Sequence, residues 1–378
     1  MFRRLIERLS KPSTPPSSPA VERTIAFVTN VAQPIQVQPE SKFDSELAST
    51  RLRVHIPARE LAKHTSVWLV PYGELLRDPY LAFLGSATTA VLGKLSAGSV
   101  LAQRDLLEGL LAKLSAERSQ LSIFADLTDD YRALGKLLNE PIWLAEYQRQ
   151  LGQVAKLIVC SPGLAVALRN CATRGLHVID DPFESTTAAE PRAPRDKPLR
   201  LLWFGNFAMG VFPFVTASLA AIVEQVKHLN VELEFITRME QVSLVADLEE
   251  ILLAQNPKLR FRFTAWSLVN TELALERCDI VLLPQEHESD YGRVKSSNRL
   301  VSAIRGGRFA VASPIAAYQE LEKYAWVNKD LAKGVLWALA HPDQARERID
   351  KGQKYVSVRF SPETIGKQWR DVLGIPPS

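Results

Sequence analysis

Between Pro284 and Pro314 the chain reads PQEHESDYGRVKSSNRLVSAIRGGRFAVASP. A polar loop holding Glu286, His287, Glu288, Asp290 and Tyr291 passes through Gly292 into Arg293, Lys295, Ser296, Ser297, Asn298 and Arg299. The apolar run before it ends at Leu283. A helix is predicted from about Asn298 to Arg305, stopped by Gly306-Gly307. A helix N-terminus that carries hydroxyls and cations attracts anions through its free N–H groups and its dipole, worth roughly 0.3–1 kcal/mol at an exposed site. Each hydrogen bond to a charged group adds about 1.5–3 kcal/mol. Such a site suits a diphosphate. The same residue types would also serve as a solvated loop ahead of an ordinary capped helix.

Carboxylates form the second group of candidates. Asp126, Asp129 and Asp130 follow an apolar run at Leu121–Ala125. A carboxylate closed off from water there could orient a hydroxyl or take its proton. Aspartates at strand ends also make turns and cap helices, the commoner use. His55, within RLRVHIPARE, could donate to a phosphate or act as a base, although a lone histidine is usually structural. Asp180-Asp181-Pro182 reads as a turn at a strand end that could line a cleft. His287 has no second histidine at a ligand spacing, so no metal motif forms around it. Nothing resembles a P-loop, GxSxG, or GxGxxG after a strand.

The elements that must position these groups alternate. Leu199–Phe204, Val231–Thr237, Leu259–Ala265, Asp279–Leu283 and Phe309–Ala312 read as strands, and Phe214–Leu229, Val245–Ala254 and Leu268–Arg277 as helices. Ser313-Pro314 predicts the start of another helix, Ser as N-cap and Pro in the first turn. The first half has strand runs at Thr24–Thr29, Ser66–Val70, Ala87–Leu92, Leu121–Ala125, Leu157–Cys160 and His177–Ile179. Strands alternating with helices imply parallel sheets covered on both faces. The fold class is therefore α/β, with two Rossmann-like doubly wound domains facing a cleft. Open sheets of that kind bind ligands at the carboxyl ends of their strands.

The domain assignment is a basic tail and Pro/Ser linker at 1–20, a first domain at 21–183, a linker at 184–198, and a second domain at 199–355. A helix at 356–378 is assigned to cross back to the first domain. Over 378 residues, 46% are hydrophobic and 23% charged, which excludes wholesale disorder. The net charge is only +4, so a nucleic-acid coat is not expected. Three cysteines without a CxxC pair argue against a disulfide framework or a cysteine-rich zinc site. No apolar run reaches the ~18–20 residues that span a bilayer. Residues 1–11 place Phe2, Leu5, Ile6 and Leu9 at helical spacing among Arg3, Arg4, Arg8 and Lys11. That stretch reads either as a frayed tail or as a short helix on anionic lipid.

The loop and helix at 284–312 resemble the C-terminal nucleotide-sugar site of GT-B glycosyltransferases, of the family 1/4-like kind. Pro284, Glu288, Gly292, Lys295, Asn298, Arg299, Leu300, the Gly306-Gly307 pair, Arg308, Val311 and Ala312 stand in the family's order. LRLLWFGN at 199–206 resembles the first strand and glycine turn of the family's nucleotide domain, and IFADLTDDY and LIVCSPGLAVAL resemble pieces of its first domain. The resemblance implies that Lys295 and Arg299 neutralise the leaving diphosphate as the bond to the sugar breaks. It implies donor contacts from Gly205, Asn206, Arg238, Glu288, Tyr291, Gly292, Arg293, Ser297, Asn298 and Ser302. Asp126 is the candidate for the acceptor side. It implies no metal and no cofactor beyond the donor substrate. Two departures stand out: Ser302 occupies the place of a ribose-binding Glu, and GNFAMGVFPF lacks a second basic residue, for which Arg238 could substitute.

The function these residues imply is transfer of a sugar from a nucleoside-diphosphate sugar to an acceptor hydroxyl. The resemblance places it in surface polysaccharide or glycoconjugate synthesis, with a glycan or lipid-linked acceptor. A cytoplasmic enzyme, peripheral on the inner face of the membrane through residues 1–11, fits that setting. The alternative is a non-catalytic relative that binds a glycan, nucleotide or protein partner in the cleft. Ser302 favours that alternative and the cation cluster opposes it. A two-domain periplasmic-type binding protein is a third reading, opposed by the missing signal-peptide pattern.

Overall fold

The computed structural model describes residues 23–43, 45–71, 87–93, 121–138, 141–185, 188–207 and 211–376. The basic segment 1–11 and the Pro/Ser stretch after it lie outside the described residues. Two parallel sheets organise the rest. The first is built from β1 (Thr24–Thr29), β2 (Ile35–Gln36), β3 (Ser66–Pro71), β4 (Thr89–Leu92), β5 (Ser122–Leu127), β6 (Lys156–Val159) and β7 (Leu176–Val178). Its order is β2-β3-β1-β4-β5-β6-β7, with only the edge strand β2 antiparallel. The second contains β8 (Leu199–Phe204), β9 (Val231–Thr237), β10 (Arg260–Ala265), β11 (Ile280–Leu283), β12 (Phe309–Ala312) and β13 (Trp326–Val327), ordered β10-β9-β8-β11-β12-β13.

Burial on both faces explains why these strands read as apolar runs. β11 and β12 are buried at every position, and β1 and β8 at all but one. In the second domain Trp203 stacks on Phe235 at 4.2 Å, and Phe207 meets both rings edge-on. Helices Phe212–Gln225 and Val242–Gln255 cover that face with Leu219, Val223, Leu248 and Leu252. Asn298–Arg305 covers the other with Leu300, Val301 and Ile304.

The structure departs from the pattern at Ser313-Pro314. No helix opens there: a 3-10 turn begins later, over Ala316–Leu321. The Ser313 hydroxyl is instead used across the sheet end, where it accepts from the Gln285 N–H at 2.9 Å. The short strands β2 and β13 carry too few residues to show a period.

The chain crosses between the domains twice. Residues 184–185 and 188–198 run without helix or strand along the second domain. There the Ala189 N–H donates to the Arg305 carbonyl and the Arg192 N–H to Gly307. Gly307 has φ +70°, and a Cβ on it would collide with the Glu190 carbonyl, so only glycine lets the linker lie so close. The second crossing follows helix Pro342–Arg359. Ser361 caps the next helix, Pro362–Leu373, which buries Ile365, Trp369 and Leu373 under β1 and β3 of the first sheet. Trp369 lies 5.7 Å from the Phe27 ring. The two crossings run side by side, with the Phe183 N–H donating to the Phe360 carbonyl at 3.0 Å.

Candidate functional site

The floor of the cleft is the carboxyl end of the second sheet. β8 ends at Phe204 and is followed by Gly205, whose added Cβ would sit 3.0 Å from the Arg299 guanidinium and 3.4 Å from the Trp203 ring. Glycine is therefore what lets Arg299 reach over the strand end. Helix Asn298–Arg305 starts here with no side-chain cap on its first N–H groups. The preceding Ser297 is buried, and its hydroxyl has no hydrogen-bond partner among the described residues. Arg299 donates to the Gln285 side-chain oxygen at 2.6 Å, and Gln285 is itself fixed by Ser313.

The wall facing this floor belongs to the first domain, and the loop between β11 and the helix is bolted to it. Val294 is fully buried in the first domain's core, beside Leu164 and Val159. Its carbonyl accepts from the Ser161 hydroxyl at 2.5 Å, and the same hydroxyl caps helix Pro162–Leu168. Gly163 faces the Arg293 carbonyl, where an added Cβ would lie at 2.6 Å. Gly163→Val must therefore push the loop off the wall. We expect it to lower the melting temperature and to weaken binding of any ligand that touches Lys295, read by a thermal melt with and without that ligand. A variant that melts and binds like the wild type would show the junction to be pliable.

Next to Val294, Lys295 reaches back to the first domain. Its ammonium pairs with Asp129 at 2.6 Å and lies 3.5 Å above the Tyr291 ring. Burial pulls the Lys295 pKa down, but Asp129 and Tyr291 outweigh it, so the group stays firmly protonated. Deeper in, Arg53 is 1% exposed and binds Asp126 at 2.6 Å and Asp181 at 3.3 Å. Burial lowers the Arg53 pKa, and the two carboxylates more than offset it. Burial raises the pKa of Asp181, opposed by Arg53 and by a hydrogen bond from Ser296. Cys160, also at the cleft, is a thiol whose pKa burial pushes far up.

The cleft has two connected lobes of about 290 Å³ each. The first lies between the domains, with Arg53, Asp129 and Asp181 on one side and Trp203, Phe214 and Lys295 on the other. The second is lined by Gly205, Arg238, Trp266, Thr271 and Ser302, with Glu46 and Arg51 from the first domain. Ala48, Asn206, Asn298 and Arg299 border both. A diphosphate placed at the shared border would meet an uncapped helix terminus and Arg299, with a lobe on each side for its two substituents.

The structure sorts the sequence candidates. Gly205, Asn206, Arg238, Tyr291, Lys295, Asn298, Arg299 and Ser302 line the cleft. Asp126 does not border either lobe; it is the buried partner of Arg53, and the carboxylates that line the first lobe are Asp129 and Asp181, both largely buried. Glu288 points away to Lys329 at 2.9 Å, and Arg293 to Asp290 at 2.6 Å. Gly292 is a packing glycine, since a Cβ on it would collide with the Glu286 carbonyl. Ser297 lies beneath the helix start rather than on the cavity surface. Asp130 caps the helix at Tyr131–Leu138 through the Arg132 N–H at 2.9 Å. His55 packs on Phe43, His287 packs edge-on to Phe214, and Asp180 pairs with Arg359. Arg53, Gln285 and Trp266 were not singled out from the sequence. An arginine between the apolar residues Leu52 and Val54 is the one signal that would have drawn attention to a buried charge. Among the described residues no cluster of His, Cys, Asp and Glu is placed to hold a metal ion, and no helix is long and apolar enough to cross a membrane.

No family model matches the chain, and no curated protein matches it. Solved structures do. HepE from Anabaena, in complex with UDP and glucose, is 14% identical over 93% of this chain and 99% of that one, with a TM-score of 0.65. Trehalose-6-phosphate synthase OtsA is 11% identical over 94% of this chain and 99% of that one, with a TM-score of 0.59. TarM from S. aureus is 12% identical over 75% of this chain but only 55% of its own, with a TM-score of 0.53. These likenesses, spread along both domains, show that the chain has the GT-B fold.

Proposed function

We propose that the protein is a glycosyltransferase that moves a sugar from a nucleoside-diphosphate sugar to an acceptor hydroxyl. The observation that carries this reading is the uncapped N-terminus of helix Asn298–Arg305, with Arg299 over it, at the border shared by the two lobes. When the bond between sugar and diphosphate breaks, negative charge builds on the departing phosphate. Arg299 and the helix N–H groups are preorganised donors for it, and Lys295, paired with Asp129 in the same lobe, is a second cation within the cleft. The nucleoside would occupy the second lobe and the sugar the first, where Asp129 and Asp181 can accept hydrogen bonds from sugar or acceptor hydroxyls. HepE is solved with UDP-glucose, which makes uridine donors the first to test.

The finer parts of the proposal concern acceptor, setting and metal. A glycan or lipid-linked acceptor, in polysaccharide or glycoconjugate synthesis, accords with the family resemblance. Peripheral membrane contact through residues 1–11 would bring such an acceptor close. Fixed cations at the phosphates predict no need for a metal. Titrating UDP against the melting temperature tests the core claim. At about 100 times its Kd a ligand adds roughly 2.7 kcal/mol, and we expect the same gain in EDTA. No response to UDP or any other nucleoside diphosphate would overturn the reading.

One observation favours a protein that binds without turnover. The Ser302 hydroxyl, where the family has its ribose-binding Glu, donates to the Asn298 carbonyl of its own helix at 2.8 Å. Release of UDP from UDP-sugars decides between the two.

A further inference from the structure

We propose that Asp129 sets the affinity of this cleft for nucleoside diphosphates by competing with the phosphates for Lys295, so that donor binding transfers the Lys295 ammonium from one anion to the other. Asp129 is thus a positioning residue, acting through Lys295. The inference rests on the nucleotide reading above.

The geometry of the two cations differs in kind. Arg299 is already aimed at the shared border and held there by Gln285 at 2.6 Å. Lys295 is not. Its backbone follows Val294, which is sealed in the first domain's core and tied by Ser161. Its ammonium is turned back onto Asp129 at 2.6 Å and over the Tyr291 ring. Both residues line the first lobe, and the lysine side chain is 23% exposed, so a second anion has access to it. A flexible four-carbon stem lets an ammonium swing between partners while its backbone stays fixed. Asp129 stays behind, because Gln148 donates to its carbonyl at 3.3 Å and it sits in the short turn between the end of β5 at Leu127 and the helix that begins at Tyr131.

An ion pair this close must be broken before Lys295 can serve a diphosphate. The binding free energy of the phosphates is reduced by that amount. Weakening the pair from the Asp129 side should therefore tighten binding, the opposite of what loss of a ligand contact or of local structure would do. The effect must also be confined to ligands that carry phosphates and must vanish when Lys295 is absent.

The test is calorimetric titration of UDP and of uridine into the wild type, Asp129→Asn, Lys295→Ala and the double variant. Asp129→Ala and Asp129→Ser are carried in parallel, so that poor folding of one variant leaves the comparison standing. We expect Asp129→Asn to bind UDP about tenfold tighter, in the usual range of coupling between sites, with uridine unchanged. Lys295→Ala should bind UDP more weakly, and adding Asp129→Asn to it should bring no gain. Unchanged or weaker UDP binding in the folded Asp129 variants overturns the inference. So does a gain that persists without Lys295, which would report only a less negative cleft. Absence of UDP binding in the wild type overturns the nucleotide reading instead.

Discussion

Arg299→Ala should lower kcat/KM for UDP-sugar turnover by about 10²–10³-fold, the usual cost of removing one preorganised donor from developing charge. The side chain bridges the lobes and is supported from both ends, by Gln285 and by the glycine at 205. It makes no ion pair with a described carboxylate that its removal would strand, so the variant should melt close to the wild type. Arg299→Lys should recover part of the rate, because the charge returns without the planar fork that can grip two phosphate oxygens. Steady-state kinetics beside a thermal melt check this. A variant with normal turnover would move the phosphate site away from the start of helix Asn298–Arg305.

The largest expected loss of stability lies at Arg53. It pairs with both Asp126 and Asp181, all three are buried, and the Arg53 guanidinium also lies 5.3 Å from the Trp369 ring. Arg53→Met leaves two carboxylates in a low-dielectric interior, a change that costs about 3–5 kcal/mol. In a chain of this size that lowers the melting temperature by roughly 5 °C. The triple variant Arg53→Met, Asp126→Leu, Asp181→Asn should recover much of the loss, because an apolar replacement of a whole buried charge cluster is often neutral. If the single variant melts as the wild type does, the carboxylates are protonated or reach water.

What could be read in advance divides along physical lines. Strands buried on both faces announce themselves, and β1, β8 and β9 run from Thr24, Leu199 and Val231 as their apolar runs predict. The helix at Asn298–Arg305 was equally plain, since apolar spacing and the glycine pair bound it. Within the loop at 284–297 no period exists, and the direction of each side chain depends on the backbone path. Hence Lys295 and Tyr291 face the cleft while Glu288 and Arg293, equally polar and in the same loop, turn outward to Lys329 and Asp290. Asp126 and Asp129 show the same limit. Both follow the strand run, yet one is drawn inward by an arginine distant in sequence and the other looks into the cavity. Ser313 has the chemistry of a helix cap, but its hydroxyl accepts from the loop residue Gln285 across the sheet end and starts no helix in its own segment.

The helix bearing Trp369 belongs to the first sheet in space and follows the second domain in sequence. During synthesis the earlier-made lobe therefore emerges from the ribosome with that face covered only in part, by Val54, Ala58 and Leu61, and waits for the later lobe to be made before the surface is closed. Neither lobe is a free-standing cassette. Until residues 362–373 are made, the Phe27 ring lacks the Trp369 neighbour that lies 5.7 Å from it in the finished fold.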